Sequence, residues 1–326
     1  MAYPYTTRPI TVFSLLAVVT ALGLGLSGCT NTSSPSSSVR IDDETSLAGK
    51  PVYFPGTVFV YASGRWDRVE RVDGENVSWV NHRGEPMTTT RDFTFRPTTW
   101  KSATHEGTRS FEPAEFLFSS KPSSLWPLSV GKESGYYEVN RWHELNSAYQ
   151  TYRAYWKCKV EGEAKVTVPA GKFDTLKVVC SRFSGRPTSS LTNAREYRTW
   201  YYAEEIQHWV AYERDYRGEN SELSRKRLAA VIPSLVRPGI PESDRDKIGQ
   251  FFQNSLNSTG DGVTSVWRSD ATNLAMQVTP QKTFKRNSKT SCRQYEQLLA
   301  LDGKEEKYFG IACRSSPQDT WEVPMR

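Results

Sequence analysis

The stretch Cys292-Arg-Gln-Tyr-Glu-Gln-Leu-Leu-Ala-Leu-Asp302-Gly303-Lys-Glu-Glu-Lys-Tyr-Phe-Gly-Ile-Ala-Cys313 decides its own fold. Asp-Gly is favoured in two-residue type I′ turns, where both central residues need φ > 0. Pairing outward from Asp302-Gly303 sets Leu301 opposite Lys304 and continues until Cys292 faces Cys313. Counted from the turn, that last pair is a non-hydrogen-bonded one, where side chains approach most closely. A cross-strand disulfide fits there, worth ~3 kcal/mol. The stretch therefore reads as an antiparallel hairpin stapled at its open end.

A second pair of cysteines lies upstream. Val166-Thr-Val-Pro169-Ala-Gly171-Lys-Phe-Asp-Thr-Leu-Lys-Val-Val-Cys180 reads as strand, tight turn, strand. Cys158 shares parity with Val160, Val166 and Val168, and Cys180 with Leu176 and Val178, so both face apolar surroundings. Their register from the turn misses direct opposition by about two residues, so a bulge near Gly162 is needed to join them. Neither pair is Cys-x-x-Cys, which argues against redox catalysis.

The fifth cysteine has a different setting. Residues 1–9 carry one charge, Arg8, and Ile10 to Leu26 is uncharged but shorter than the ~20 residues of a membrane span. The run ends in Leu26-Ser27-Gly28-Cys29, which resembles the bacterial lipobox. The resemblance implies cleavage before Cys29 and acylation of its thiol, giving a stable anchor because each buried CH₂ contributes ~0.8 kcal/mol. Thr30 after the cysteine, where retained lipoproteins carry Asp, implies the outer membrane. Loss of residues 1–28 removes Arg8 and lowers the net charge from +6 to +5. It also leaves an even set of four cysteines for an oxidising compartment.

The 326 residues suggest about two domains. The expected order is a signal peptide (1–28), a Ser/Thr/Pro-rich tether (29–48), a β-rich domain (49–230), a Pro-rich linker (231–243) and a C-terminal domain (244–326). In the larger domain, aromatic and β-branched runs such as Thr57–Tyr61, Asn76–Val80, Arg91–Phe95, Tyr149–Lys159 and Glu196–Tyr202 predict short antiparallel strands. These curl into a half-barrel or barrel. In the smaller one, Ser243 caps a helix whose apolar face is Ile248, Phe251, Phe252 and Leu256. A disulfide-stapled sheet follows, with a last short strand at Trp321–Val323. The fold class is mainly β, and the mean hydropathy of −0.60 excludes a multi-span helical membrane protein.

From about Phe251 to Val323 the chain resembles the rickettsial 17 kDa-type surface antigen domain. The resemblance rests on Gly260 to Trp267, Val278-Thr279-Pro280, Cys292-Arg293-Gln294-Tyr295, Gly310-Ile311-Ala312-Cys313-Arg314 and Trp321. The family's usual glycine before the Trp is missing here, and so is the glycine-zipper segment that often accompanies the domain. The resemblance implies an envelope location and a β-rich fold, and it names no reaction or ligand.

Chemistry-bearing motifs are scarce. His82, His105, His143 and His208 are scattered with no metal-ligand spacing. No Gly-x-Ser-x-Gly elbow or phosphate-cradling loop occurs. No catalytic residue, metal or cofactor is assigned. Lys282, Lys285, Arg286, Lys289 and Arg293 form an acid-free basic run that reads either as a patch for anionic lipid or peptidoglycan or as a solvated strand and loop. Nucleic acid is out of reach in this compartment despite a pI near 9.0. Eight of the ten tryptophans, Trp66 to Trp209, lie in the larger domain. They pack a β core or line a site for sugars or apolar ligands. The expected function is a non-enzymatic, outer-membrane-anchored envelope protein acting on protein or cell-wall partners. The alternative is a carrier that holds a lipid or other apolar ligand in the concave β face. An open cavity lined by Trp and Phe distinguishes the carrier from the interaction protein.

Overall fold

Runs of β-branched and aromatic residues, separated by turns, form a meander of twelve strands. The first six are β1 (Val58–Tyr61), β2 (Trp66–Asp73), β3 (Asn76–Asn81), β4 (Pro86–Thr90), β5 (Thr99–Lys101) and β6 (His105–Pro113). The next six are β7 (Glu133–Glu144), β8 (Gln150–Val168), β9 (Gly171–Ser184), β10 (Glu196–Ala203), β11 (His208–Tyr216) and β12 (Glu222–Ile232). Each pairs with its neighbour, and β12 returns to β1 with Val58 opposite Ile232 and Phe59 opposite Val231. The sheet therefore closes into a barrel. The computed structural model describes residues 49–113, 125–184, 194–217 and 222–326. The signal segment, Cys29 and the tether up to residue 48 lie outside them.

The barrel's outer face carries paired charges: Arg153 with Glu112, Lys157 and Lys159 with Glu133, Lys177 with Glu161, and Arg225 with Glu213. A membrane-spanning barrel presents an apolar band outward, so this one is built the other way round, facing water. Its interior is aromatic. An eight-stranded barrel is just filled by its own side chains; twelve strands enclose more space. Non-strand segments occupy part of it. Leu125, Trp126 and Leu128 pack against Trp156, Val178 and Trp200. The segment Arg91–Phe95, expected as a strand, is irregular and also turns inward. Asp92 there accepts hydrogen bonds from Thr94 N at 3.0 Å and Thr94 Oγ at 2.6 Å. Phe93 meets Trp126 and Tyr202, while Phe95 meets Phe111 and Tyr136. Filling the barrel outweighs the β propensity of these residues.

The C-terminal strands are β13 (Ser265–Arg268), β14 (Leu274–Lys285), β15 (Ser291–Leu301) and β16 (Lys304–Arg314). They continue the sheet in the order β12-β16-β15-β14-β13, with Ala230 opposite Gly310 at the junction. A Cβ on Gly310 would lie 2.7 Å from both Ala230 Cβ and Tyr295 Oη, so the close approach requires glycine. Helix α1 (Glu242–Ser258) starts one residue before the expected Ser243 cap. Pro241 holds the N-cap position without a side-chain hydrogen bond. Proline is tolerated there because the first N–H groups of a helix have no internal partner. Ile248 and Leu256 are buried, with Phe251 and Phe252 packed beside them, as the 3.6-residue pattern predicts. The expected strand at Trp321–Val323 is reduced to one bridge, Cys313 to Glu322.

One buried cluster contains Phe59, Leu228 and Val231 of the barrel together with Ile240, Ile248, Leu299 and Phe309. Phe173 meets Phe309 edge-on at 5.0 Å, and Gln294 Nε2 donates to Pro169 O at 2.9 Å. Both disulfides are cross-strand bridges. Cys292 faces Cys313 in the register set by Leu301 opposite Lys304. Cys158 faces Cys180 because Val160 pairs with Val178 and Gly162 with Lys177, leaving Glu161 as the single extra residue.

Candidate functional site

Strand β10 shows how the interior is built. In Glu196-Tyr-Arg198-Thr-Trp200-Tyr-Tyr202 the period of two puts Glu196, Arg198, Trp200 and Tyr202 on one face, and the burial pattern follows it. All four are buried, and Arg198 and Trp200 line a cavity of about 240 Å³ that is partly open to solvent. Trp79, Phe93, Trp200 and Trp209 contribute its aromatic walls, Tyr53 and His208 line it, and Arg96, Arg198 and Lys226 bring cationic groups to it. Tyr61 stacks face to face on Trp209 at 5.3 Å.

The charges form a network around two buried carboxylates. Glu196 meets Arg182 Nε at 2.8 Å, Arg198 Nη2 at 2.6 Å and Arg214 Nε at 2.8 Å. Burial raises its pKa, but the guanidiniums, led by Arg198, outweigh burial and hold it at about 2. Glu138 meets Arg96 at 3.1 Å and Arg109 at 3.5 Å. Five guanidiniums thus surround two carboxylates. Burial and then Arg198 push the Arg96 guanidinium down; burial and then Arg96 do the same to Arg109. Arginine stays charged through such shifts, so, whereas Lys226 is matched by Asp67 at 3.7 Å, the cluster around Glu138 and Glu196 carries a cationic surplus. Aromatic faces absorb part of it: Arg109 lies 3.6 Å from the Trp100 ring centroid and Arg198 4.8 Å from Trp156.

His208 is buried and neutral. Its ring lies 3.9 Å from Phe59, and Nδ1 is 3.1 Å from Tyr53 Oη. Burial, with Lys226 nearby, pushes its pKa to about 3. Its Nε2 is buried without a hydrogen-bond partner.

The other histidines do not join it: His143 meets Glu106 at 3.1 Å and His105 meets Thr104 at 2.7 Å. Among the described residues no group of three or more His, Cys, Asp or Glu could hold a metal ion. Of the basic run, Lys282, Lys285, Arg286 and Lys289 are exposed near the β14–β15 turn. Arg293 does not belong with them. It is buried and donates to Leu256 O, Thr259 O and Asp261 Oδ1. The last carbonyls of α1 lack helical partners, and this guanidinium satisfies them, so it holds the fold rather than offering charge to a partner.

The cavity residues were missed in the sequence. The available signal was a charged pair, Glu196 and Arg198, in phase with Trp200 and Tyr202 on the apolar face of a strand.

Residues 254–322 match the 17 kDa outer membrane surface antigen family. The C-terminal segment is surface-antigen-like. The 17 kDa surface antigen of Rickettsia bellii (strain RML369-C) is 32% identical over 106 residues, covering 30% of this chain and 66% of that protein. That of Rickettsia felis is 34% identical over 85 residues, covering 26% and 53%. That of Rickettsia prowazekii is 34% identical over 82 residues, covering 25% and 51%. The chain therefore spans between about half and 66% of the length of these relatives. Among solved structures, the hypothetical lipoprotein YmcC from Escherichia coli K12 aligns with 55% of this chain and 83% of its own, at 8% identity and a TM-score of 0.35. The matched segment takes in the last turn of α1 and β13–β16; the residues that line the barrel cavity precede it.

Proposed function

We propose that this chain is a lipid-anchored protein of the bacterial outer membrane that acts by binding rather than by catalysis, with the barrel cavity as its ligand site. The observation that carries the ligand site is the open, Trp- and Phe-walled cavity, where a filled core would have favoured a purely structural role. At about 240 Å³ it lies just below the ~300–1,000 Å³ of typical small-molecule pockets, so it suits a small apolar ligand or one chain of a larger lipid. The envelope location is supported by the likeness to proteins named surface antigens, and the anchor by Leu26-Ser27-Gly28-Cys29. Mass spectrometry of the protein, purified from bacterial envelopes without heating and then extracted with organic solvent, tests the ligand. A stoichiometric small molecule supports the carrier, and a clean protein refutes it. Labelling with palmitate tests the anchor separately, because Cys29→Ser should abolish incorporation.

A second reading has its own support. The surface-antigen likeness is confined to the C-terminal segment, and the exposed Lys282, Lys285, Arg286 and Lys289 sit in that segment. Envelope proteins, peptidoglycan or anionic lipid would bind there, giving a structural or interaction role alongside the cavity. Cross-linking in intact cells, with these four residues replaced by Ser, tests it through loss of the cross-linked species.

A further inference from the structure

The barrel interior combines two features that no single simple ligand class would need together. One is the row of aromatic walls: Trp79, Phe93, Trp200 and Trp209. Water gains little from such surfaces, and burying hydrocarbon against them is favourable. The other is the cationic surplus. Arg96 and Arg198 both line the cavity, and each is tied on one side to a carboxylate, Glu138 or Glu196. Those two carboxylates also meet Arg109 and Arg182, so even with Arg214 set aside four guanidiniums face two carboxylates. Asp67, the acid among the cavity's lining residues, is taken up by Lys226 at 3.7 Å and Tyr61 Oη at 3.0 Å. Arg198 has 9% of its side chain exposed and Arg109 6%. Cations buried to that degree are costly unless an anion balances them. Arg96 keeps 31% exposure while lining the cavity, so its guanidinium remains reachable from it.

We propose that Arg96 and Arg198 form an anion subsite within the cavity, and that the ligand is an amphipathic anion: a carboxylate or phosphate at the end of an apolar chain. The inference rests on the cavity being a ligand site, as argued above, and adds the chemistry of the occupant. The head group accepts charge-assisted hydrogen bonds from the two guanidiniums, whose planar forks match carboxylate and phosphate oxygens. The chain runs along the tryptophan walls. His208 supplies an independent sign that the cavity expects an occupant with polar atoms. It lines the same space, is 4% exposed, and its Nε2 has no hydrogen-bond partner. Such a group is costly unless a ligand or water satisfies it.

The test uses the purified full chain and calorimetric titration with decanoate, decyl phosphate, 1-decanol and inorganic phosphate. Both decyl anions are expected to bind at least about tenfold more tightly than decanol, the gain that one or two charge-assisted hydrogen bonds supply. Arg96→Met keeps the side chain's apolar stem and leaves Glu138 paired with Arg109. It should erase that tenfold preference while leaving decanol affinity within about twofold, and Arg96→Lys should restore part of it. Retained decanol binding also shows that the variant is folded. Equal affinity of decanol and the anions overturns the subsite but leaves the cavity reading standing. Failure of all three decyl probes to bind refutes the cavity reading and the subsite together. Inorganic phosphate binding as tightly as decyl phosphate, and lost in Arg96→Met, would assign the site to free phosphate and overturn the amphipathic ligand.

Discussion

Acid should loosen the barrel through His208, beginning as the pH falls below 6.5. The imidazole is buried between Phe59, with ring centroids 3.9 Å apart, and Tyr53, whose Oη lies 3.1 Å from Nδ1. Burial, with a smaller contribution from Lys226, lowers its pKa from 6.5 to about 3. Between those values the unfolded chain binds a proton that the folded chain refuses. Stability from this group is therefore complete above pH 6.5 and is lost as pH falls toward 3. By pH 4.5 two units of the window have been crossed, a loss of roughly 2.7 kcal/mol at 1.36 kcal/mol per unit. Glu196 does not confuse that range, because its folded value of about 2 and unfolded value of 4.5 place its own loss below pH 4.5. The assay is urea unfolding followed by far-UV circular dichroism at pH 7.0 and 4.5, for the natural chain and His208→Phe. The variant leaves Tyr53 Oη without its partner, a pH-independent cost of about 1–2 kcal/mol. Its loss between the two pH values should be smaller than the natural chain's by roughly 2.7 kcal/mol. Equal losses in the two proteins, or an NMR titration of His208 with a midpoint near 6.5, would refute the reasoning.

Other perturbations probe the rest of the frame. Replacing Cys158 and Cys180 by Ser opens a loop with a sequence separation of 22. It should cost ~3 kcal/mol in denaturant unfolding, with reductant then having no further effect at that site. Arg293→Ala strands the acceptors Leu256 O, Thr259 O and Asp261 Oδ1. A loss of about 3 kcal/mol is expected, and Arg293→Lys should recover less than half because one ammonium cannot span the three acceptors as the fork does. Gly310→Ala puts a methyl 2.7 Å from Ala230 Cβ and Tyr295 Oη at the β12–β16 junction. It should lower stability by about 1–3 kcal/mol and speed amide exchange at Ala230 and Gly310 relative to the centre of β8.

The legible parts of the sequence were those with local chemistry. Asp302-Gly303 set the β15–β16 register down to Cys292 opposite Cys313, because a two-residue turn leaves no freedom in the pairing that follows it. The bulge at Glu161 was readable for the same reason, although the offset it corrects is one residue rather than about two. Strands with weak patterns were not visible. β4 reads Pro-Met-Thr-Thr-Thr, β5 is three residues long, and β12 opens on Glu-Leu-Ser-Arg-Lys-Arg. Their pairing comes from the closure of the barrel rather than from their own propensity. Arg91–Phe95 failed in the opposite way. Its aromatics suit a strand, yet the space enclosed by twelve strands drew them inward as filling. The arginine network was hidden because its members come from the loop before β5 and from β6, β9, β10 and β11, and no local period links them. Arg293 shows the limit of reading charge along the chain: five cations lie close in sequence, but one of them faces the end of α1 rather than water.

The claim on which the functional account depends is that an apolar chain enters the barrel. Titration with 10-bromodecanoate tests it directly, because bromine quenches tryptophan fluorescence only at short range. With Trp79, Trp200 and Trp209 lining the cavity, the account predicts saturable quenching that is reduced when Trp200 and Trp209 are both replaced by Phe, leaving Trp79 as the quenched residue. Quenching that rises linearly without saturating, or that survives the double replacement unchanged, would contradict it.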